Sequence, residues 1–194
     1  MVDLRRVPLD ETHAVMVGML PPSLGLDADG FEALWSTHPD QFHEIKMHGR
    51  LVKTPRWQQA YGTDYRYTGN TNRALPVTPT MHRWLDWARE HFDPQLNGLL
   101  LNWYDGRAEH YIGRHRDSEI GRIVGSPIVT ISFGEQRVLR MRPWRGQGFI
   151  DVPVVDGSIV VIPWATNEVF THEVPSSKKA RGRRISVTLR AFNA

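Results

Sequence analysis

The sequence predicts an α+β fold with a mostly antiparallel β core, and three observations carry that expectation. Helix signals occur only in the first half of the chain, whereas residues 99–190 hold six runs that read as strands. Gly, Pro and Asp turns separate these runs, the pattern of a sandwich or barrel. Helices early and strands late segregate the two kinds of structure, unlike the alternation of an α/β chain. The 194 residues suit one domain with a sizeable core. No repeat, low-complexity tract or linker divides them.

Taken in order, residues 1–26 give little beyond a strand-like run at 15–20 before Pro21-Pro22. Asp29-Gly30-Phe31-Glu32 has capping-box spacing, with Asp in place of Ser or Thr. It predicts a short helix that buries Phe31, Leu34 and Trp35 and ends near Pro39. Residues 42–54 read as two strands around a turn at Met47-His48-Gly49-Arg50. The aromatic, turn-rich stretch 55–69 predicts an ordered loop with short strand pieces. Thr78-Pro79 supplies a hydroxyl cap and a proline at the first helical position. Met81, Leu85, Ala88 and Phe92 then recur near i+4, so this helix packs one face on the core, and Asp93-Pro94 with Asn97-Gly98 ends it. No later helix is predicted. The strands are expected at 99–104, 128–133, 136–142, 148–152, 158–162 and 184–190.

Zero cysteines exclude disulfides, thiolate metal sites and cysteine nucleophiles. A net charge of +3 permits nucleic-acid binding without requiring it. The charged start, MVDLRRVPLDETHAV, lacks the apolar centre of a secretion signal, and no apolar run reaches membrane length. An intracellular protein without a membrane partner is expected.

Chemistry concentrates at His115-Arg116-Asp117. In an extended strand, side chains at i and i+2 leave from one face, so His115 and Asp117 can converge on one metal ion. His172, after the run 168–171, is the proposed third ligand. His13, His38, His43, His48, His82 and His91 have no better claim than a structural or surface role, and His110 lacks a matching spacing. Two imidazoles and a carboxylate with open positions suit non-haem Fe(II), although a zinc hydrolase uses the same ligand types. In the last strand Ile185, Val187 and Leu189 form one face, and Arg184, Ser186, Thr188 and Arg190 the other. The plain reading of that second face is arginines in water. Asn102 and Tyr104 share a face in the run 99–104, however. If both polar faces line one cavity, its guanidinium groups suit a small dicarboxylate.

The ordered set LNWY, HRDSE, PIVTISFG, DGSIVVIPWATNEVFTHEVP and RRISVTLR, preceded by PRWQQAYGTDYRYTG, resembles the AlkB-like branch of the Fe(II)/2-oxoglutarate dioxygenases over residues 45–192. The resemblance implies a double-stranded β-helix, jelly-roll-like, spanning about 98–192, with an N-terminal helical and substrate-side segment over about 1–97. It implies that His115, Asp117 and His172 ligate Fe(II). Arg184 and Arg190 match the family's paired arginines for 2-oxoglutarate, with Arg184 on the distal carboxylate. Asn102 and Tyr104 match co-substrate contacts, Ser186 stands where an asparagine is common, and Thr188 shares their face. Tyr67 and the His115 ring would sandwich a flipped base, with Tyr65 nearby and Glu119 at its edge. Met47-His48-Gly49 matches a hairpin tip that fills the gap left by that base. Arg56, Arg66 and Arg73, with Lys178-Lys179-Arg181-Arg183, are expected on phosphates.

The implied activity is oxidative demethylation of N-alkylated bases such as 1-methyladenine and 3-methylcytosine, using Fe(II), O2 and 2-oxoglutarate, by a monomer acting on alkylated DNA or RNA. Two other readings stay open. One is a dioxygenase of this fold acting on protein or a small metabolite, against which the aromatic segment 61–67 weighs. The other is a non-catalytic nucleic-acid-binding module, which has no need of the triad and arginine pair.

Overall fold

The computed structural model describes residues 2–47, 49–67 and 70–193, with the side chains of 46, 47, 67 and 70 outside the description. Two antiparallel sheets lie face to face. The larger contains β1 (Leu4–Pro8), β2 (Ala14–Met19), β5 (Trp57–Tyr61), β8 (Gly98–Asp105), β10 (Ile128–Gly134), β13 (Ser158–Ile162) and β15 (Arg183–Arg190). Its strand order is β1-β2-β13-β10-β15-β8-β5. The smaller contains β9 (Ile112–His115), β11 (Arg137–Pro143), β12 (Ile150–Val154) and β14 (Phe170–Val174), in the order β12-β11-β14-β9. Two hairpins, β3 (Glu44–Met47) with β4 (Arg50–Lys53) and β6 (Tyr65–Tyr67) with β7 (Asn70–Asn72), stand apart from both. The helices are α1 (Ala28–Trp35), α2 (Pro79–His91) and α3 (Trp164–Val169). This is the expected α+β, jelly-roll-like arrangement. Among the described residues, no helix is long and apolar enough to cross a membrane.

Local chemistry explains the two longer helices. The Thr78 hydroxyl accepts from the Met81 N–H, and α2 buries Met81, Trp84, Leu85, Trp87 and Ala88. In α1 the cap is Asp27, not Asp29: the Asp27 carboxylate accepts from the Gly30 N–H at 2.8 Å. The helix therefore begins two residues earlier than the capping-box spacing suggests. Asp29 sits in its first turn, where a carboxylate still complements the helix dipole. It ends at Trp35 rather than near Pro39.

Other elements differ from expectation for physical reasons. The stretch 55–69 is mostly strand: β5 pairs with β8 from Trp57↔Trp103 to Tyr61↔Leu99. WQQAY lacks a regular apolar alternation because Gln58 is buried toward a polar interior. Strands β1, β9 and β14, and the one-and-a-half-turn helix α3, also escaped the sequence reading. Helix α3 has no side-chain cap, and IGRH in β9 has no apolar run.

Two cores flank the large sheet. Helices α1 and α2 cover one face, burying Leu99, Leu101, Trp103, Val129, Ile131, Phe133, Ile185, Val187 and Leu189. Between the sheets, Tyr104, Ile128, Val160 and Ile162 pack against Leu139, Met141, Val152, Phe170 and Val174. Strands β8 and β15 are thus buried on both faces. Arg184 and Arg190 are not in water as the plain reading expects; they are 3% and 4% exposed.

Candidate active site

A cavity of about 610 Å³ opens between the two sheets. Register builds its polar wall. Arg184 lies opposite Tyr104 and Ser186 opposite Asn102 on β8, while Ser132 and Thr130 of β10 flank Ser186 and Thr188 from the other side. Since alternate residues share a face, one cavity receives Asn102, Tyr104, Arg184, Ser186, Thr188 and Arg190 together.

The opposite wall brings His115 and His172 together, because β9 pairs with β14 at His172↔His115. Their ring centroids are 4.3 Å apart. Asp117 Oδ1 lies 3.7 Å from His115 Nε2 and 3.8 Å from His172 Nε2. Two atoms each about 2.1 Å from one cation lie at most about 4.2 Å apart, so both distances are compatible with shared ligation. The donor atoms of all three residues fall within 4.8 Å of one another.

Their surroundings prepare these donors. His115 Nδ1 is 2.8 Å from the Gly113 carbonyl. A carbonyl only accepts, so Nδ1 carries the proton and Nε2 offers its lone pair. Burial would raise the Asp117 carboxyl, but the Arg190 charge beside it overrides this and holds the group well below the usual carboxylate range. Arg190 Nε donates to Asp117 Oδ2 at 2.6 Å, leaving Oδ1 turned to the histidines. Burial, and then the neighbouring His115, push His172 down to about 3; burial also lowers His115. All three groups are therefore deprotonated at neutral pH, the form that binds a cation. A carboxylate and two imidazoles on one side of such a cation leave other positions open, which suits Fe(II) or Mn(II).

Deeper in the cavity, Arg184 Nη2 donates to Ser132 Oγ at 2.9 Å. Its Nε and Nη1 are buried and make no hydrogen bond among the described residues. Burial lowers its pKa, with Tyr104 opposing. A buried guanidinium with two idle donors is costly unless an anion completes it. A small carboxylate fits that fork.

Several residues sit differently from expectation. Arg56 is not a surface phosphate contact: it is 7% exposed, and its Nε and Nη2 donate to Asn102 Oδ1 (2.7 Å) and Gln58 Oε1 (2.9 Å) inside the cavity. Arg190, expected on the co-substrate, gives its Nε to Asp117. At the surface Arg73 pairs with Asp64, and Arg183 with Glu32; Arg66, Lys178, Lys179 and Arg181 are exposed. Tyr65 is buried, its hydroxyl 3.4 Å from Asp117 Oδ1 and its ring under the Arg190 guanidinium. Glu119 lies exposed on the cavity wall. Histidine 110 is apart from the triad, packed against Trp57 and Phe42. His48 and the side chains of Met47 and Tyr67 lie outside the described residues.

The sequence reading missed the residues that brace the site. Asn167 clamps the Asp117 backbone in both directions, accepting from its N–H and donating to its carbonyl, each at 3.1 Å. Ser132 anchors Arg184. Arg122, 2% exposed, lies over the Trp164 ring near the triad. Fifty residues separate Asn167 from Asp117, so no local spacing reveals that pair.

Comparison with known proteins agrees with this geometry. A family model described as the 2OG-Fe(II) oxygenase superfamily matches residues 31–190. The chain is 31% identical over 157 residues to the DNA oxidative demethylase ALKBH2 of Homo sapiens, covering 75% of this chain and 60% of that protein. The chain thus spans about 60% of the length of that relative. Among solved structures, the fold is similar to that titled "The structure of OsALKBH1" (TM-score 0.57, 14% identity, covering 98% of this chain and 100% of that one). It is also similar to a 2OG-Fe(II) oxygenase family oxidoreductase from Burkholderia pseudomallei (TM-score 0.54, 16% identity, covering 90% and 84%). These two likenesses bear on fold alone.

Proposed function

The chain belongs to the 2OG-Fe(II) oxygenase superfamily, and from that premise we propose that it oxidatively demethylates N-alkylated nucleic-acid bases. The observation that carries the reading is one cavity holding both an open-sided His115–Asp117–His172 cluster and a buried guanidinium with two idle donors. The likeness to a relative named as a DNA oxidative demethylase supports the substrate class. Bound together, Fe(II), O2 and 2-oxoglutarate supply the oxidising equivalent that places one oxygen on the substrate methyl carbon, with succinate and carbon dioxide as co-products.

Each residue then has a task. His115, Asp117 and His172 hold the metal. Arg184 takes the far carboxylate of 2-oxoglutarate on Nε and Nη1, while Asn102, Tyr104, Ser186 and Thr188 shape the slot around it. Arg190 keeps Asp117 ionised and aimed. The substrate base, once flipped out of its stack, reaches the His115 side of the cavity with Glu119 at its edge. Extrusion costs least for a base whose methyl group already spoils pairing. Tyr67 is assigned to stack on that base opposite His115, with Tyr65 nearby. Met47 and His48 are assigned to the gap left in the duplex, where an apolar wedge offsets unstacking. The positive charge of 1-methyladenine or 3-methylcytosine favours an aromatic sandwich. The hydroxymethyl group loses its hydroxyl proton to solvent as the C–N bond breaks, which releases formaldehyde and returns the electron pair to the ring nitrogen of the neutral base. We assign the activity to one intracellular domain working as a monomer on alkylated DNA or RNA.

The test is incubation with Fe(II), 2-oxoglutarate and air, using single- and double-stranded oligonucleotides carrying 1-methyladenine or 3-methylcytosine. Equal release of formaldehyde and succinate is expected. Turnover with methylated peptides and none with any oligonucleotide would replace the proposal with a protein-directed dioxygenase. Oligonucleotide binding without turnover of 2-oxoglutarate would leave only a binding module.

A further inference from the structure

We propose that Trp144 is a stacking platform for the unflipped base next to the target base, an inference that rests on the nucleic-acid reading above. Trp144 lines the cavity together with Arg114, Arg116, His115 and Glu119, and 48% of it is exposed. A single exposed aromatic is ordinary. This one is set apart by how firmly it is held.

The Arg116 guanidinium lies 4.7 Å from the ring centroid, and its Nη1 donates to the Glu168 carbonyl. Arg114 Nη2 donates to the carbonyls of Pro143 (2.7 Å) and Trp144 (3.1 Å). The Trp144 backbone N–H donates to the Val169 carbonyl at 2.8 Å. At the far end of the same β11–β12 loop, Phe149 lies under Arg140 and Arg142, 3.9 and 4.8 Å from its centroid. Those arginines are themselves fixed by Asp151 and Glu173. The loop backbone is pinned at both ends and the Arg116 guanidinium lies over the ring, which reduces the conformational freedom lost on binding.

The position and the charge then select an occupant. A base that enters the cavity leaves its chain neighbours at the opening, each short of one stacking partner. A fixed indole on that rim replaces the lost partner, and every base has a face to offer it. Arg116 lies over the ring, Arg114 binds the backbone beneath it and the exposed Arg145 follows it in the chain, against one carboxylate, Glu119, 4.0 Å from Arg116. That favours a polyanionic strand over a basic peptide, and stacking on the indole does not depend on base identity.

The test is fluorescence-anisotropy binding of a labelled single strand with a central 1-methyladenine to Mn(II)-loaded protein, which binds without turnover. Trp144→Ala is expected to weaken binding on the order of tenfold, and Trp144→Phe to restore most of it. With abasic sites flanking the methylated base, wild type should fall to the level of Trp144→Ala, and the substitution should cost nothing further. Binding by Trp144→Ala within twofold of wild type would overturn the proposal. So would an equal loss on the abasic-flanked strand, because the ring would then act on the target base or on the loop itself. Formaldehyde release by wild type in a parallel reaction with Fe(II), 2-oxoglutarate and air separates the two ideas: its absence, with tryptophan-dependent binding to the Mn(II) form intact, sinks demethylation and leaves the stacking contact standing.

Discussion

On one face of β15, Ile185, Val187 and Leu189 are wholly covered by the helix layer. On the other, Arg184, Ser186, Thr188 and Arg190 are covered almost as completely, yet carry two guanidinium groups and two hydroxyls. The first face needs only packing, because removing apolar surface from water is favourable in itself. The second cannot be justified that way. Arg190 has Asp117, but two nitrogens of Arg184 have no hydrogen bond among the described residues. A buried guanidinium with two donors left over marks the place where a ligand completes the structure. One strand therefore serves as core on one side and as binding site on the other.

The largest effect that separates these faces comes from placing a charge on the apolar one. Val187→Asp sets an unpartnered carboxylate among Leu101, Ile131 and their neighbours, at a cost of several kcal/mol, a large part of a typical stability of about 5–15 kcal/mol. Little soluble, cooperatively melting protein is expected, read by circular dichroism. Arg184→Ala, one face over, should stay folded and lose 2-oxoglutarate. Breaking a buried charged contact costs about 2–5 kcal/mol, so affinity in the presence of Mn(II) should fall on the order of a hundredfold by calorimetry. If Arg184→Ala fails to fold, the face is structural and the distinction collapses.

Acid probes the buried polar groups more gently. Burial depresses His110, whose Nδ1 accepts from the Asp105 N–H, and His172, which falls to about 3. The unfolded chain takes up protons near pH 6.5 that these folded groups refuse, so stability is full above that value and is lost as pH falls below it. Each such histidine costs at most about 1.4 kcal/mol one unit below 6.5. The melting temperature of the metal-free protein should drop between pH 7.5 and 5.5; a flat profile would show that these rings protonate freely in the fold. The smallest effect is Thr188→Val, which removes the 3.3 Å contact with Thr130 Oγ1. It should cost about 1 kcal/mol, a few degrees in melting temperature, without touching metal affinity.

The same contrast explains what could be read from the residues alone. The apolar face of β15 and the helix α2 were legible because periodicity and burial agree there. His115 and Asp117 were legible as a pair two residues apart, although β9 ends at His115 and Asp117 lies in irregular chain just beyond it, held by Asn167 and Arg190. Arg56 was misplaced: in sequence it looks like any surface arginine, and only β5–β8 pairing reveals Asn102 as its acceptor. Asn167, in a six-residue helix without a side-chain cap, carries no local signal at all. The Asp27 cap was missed because Asp29 offers the same chemistry two residues later. Where a residue's role depends on a partner dozens of positions away, spacing is silent.

The most direct test of the two-faced strand is a crystal structure with Mn(II) and 2-oxoglutarate, grown without iron so that no turnover occurs. The account predicts a metal about 2.0–2.2 Å from His115 Nε2, Asp117 Oδ1 and His172 Nε2, with open positions facing the cavity. It also predicts the far carboxylate of 2-oxoglutarate on Arg184 Nε and Nη1. A metal closed off by four protein ligands, or 2-oxoglutarate bound away from Arg184, would contradict it.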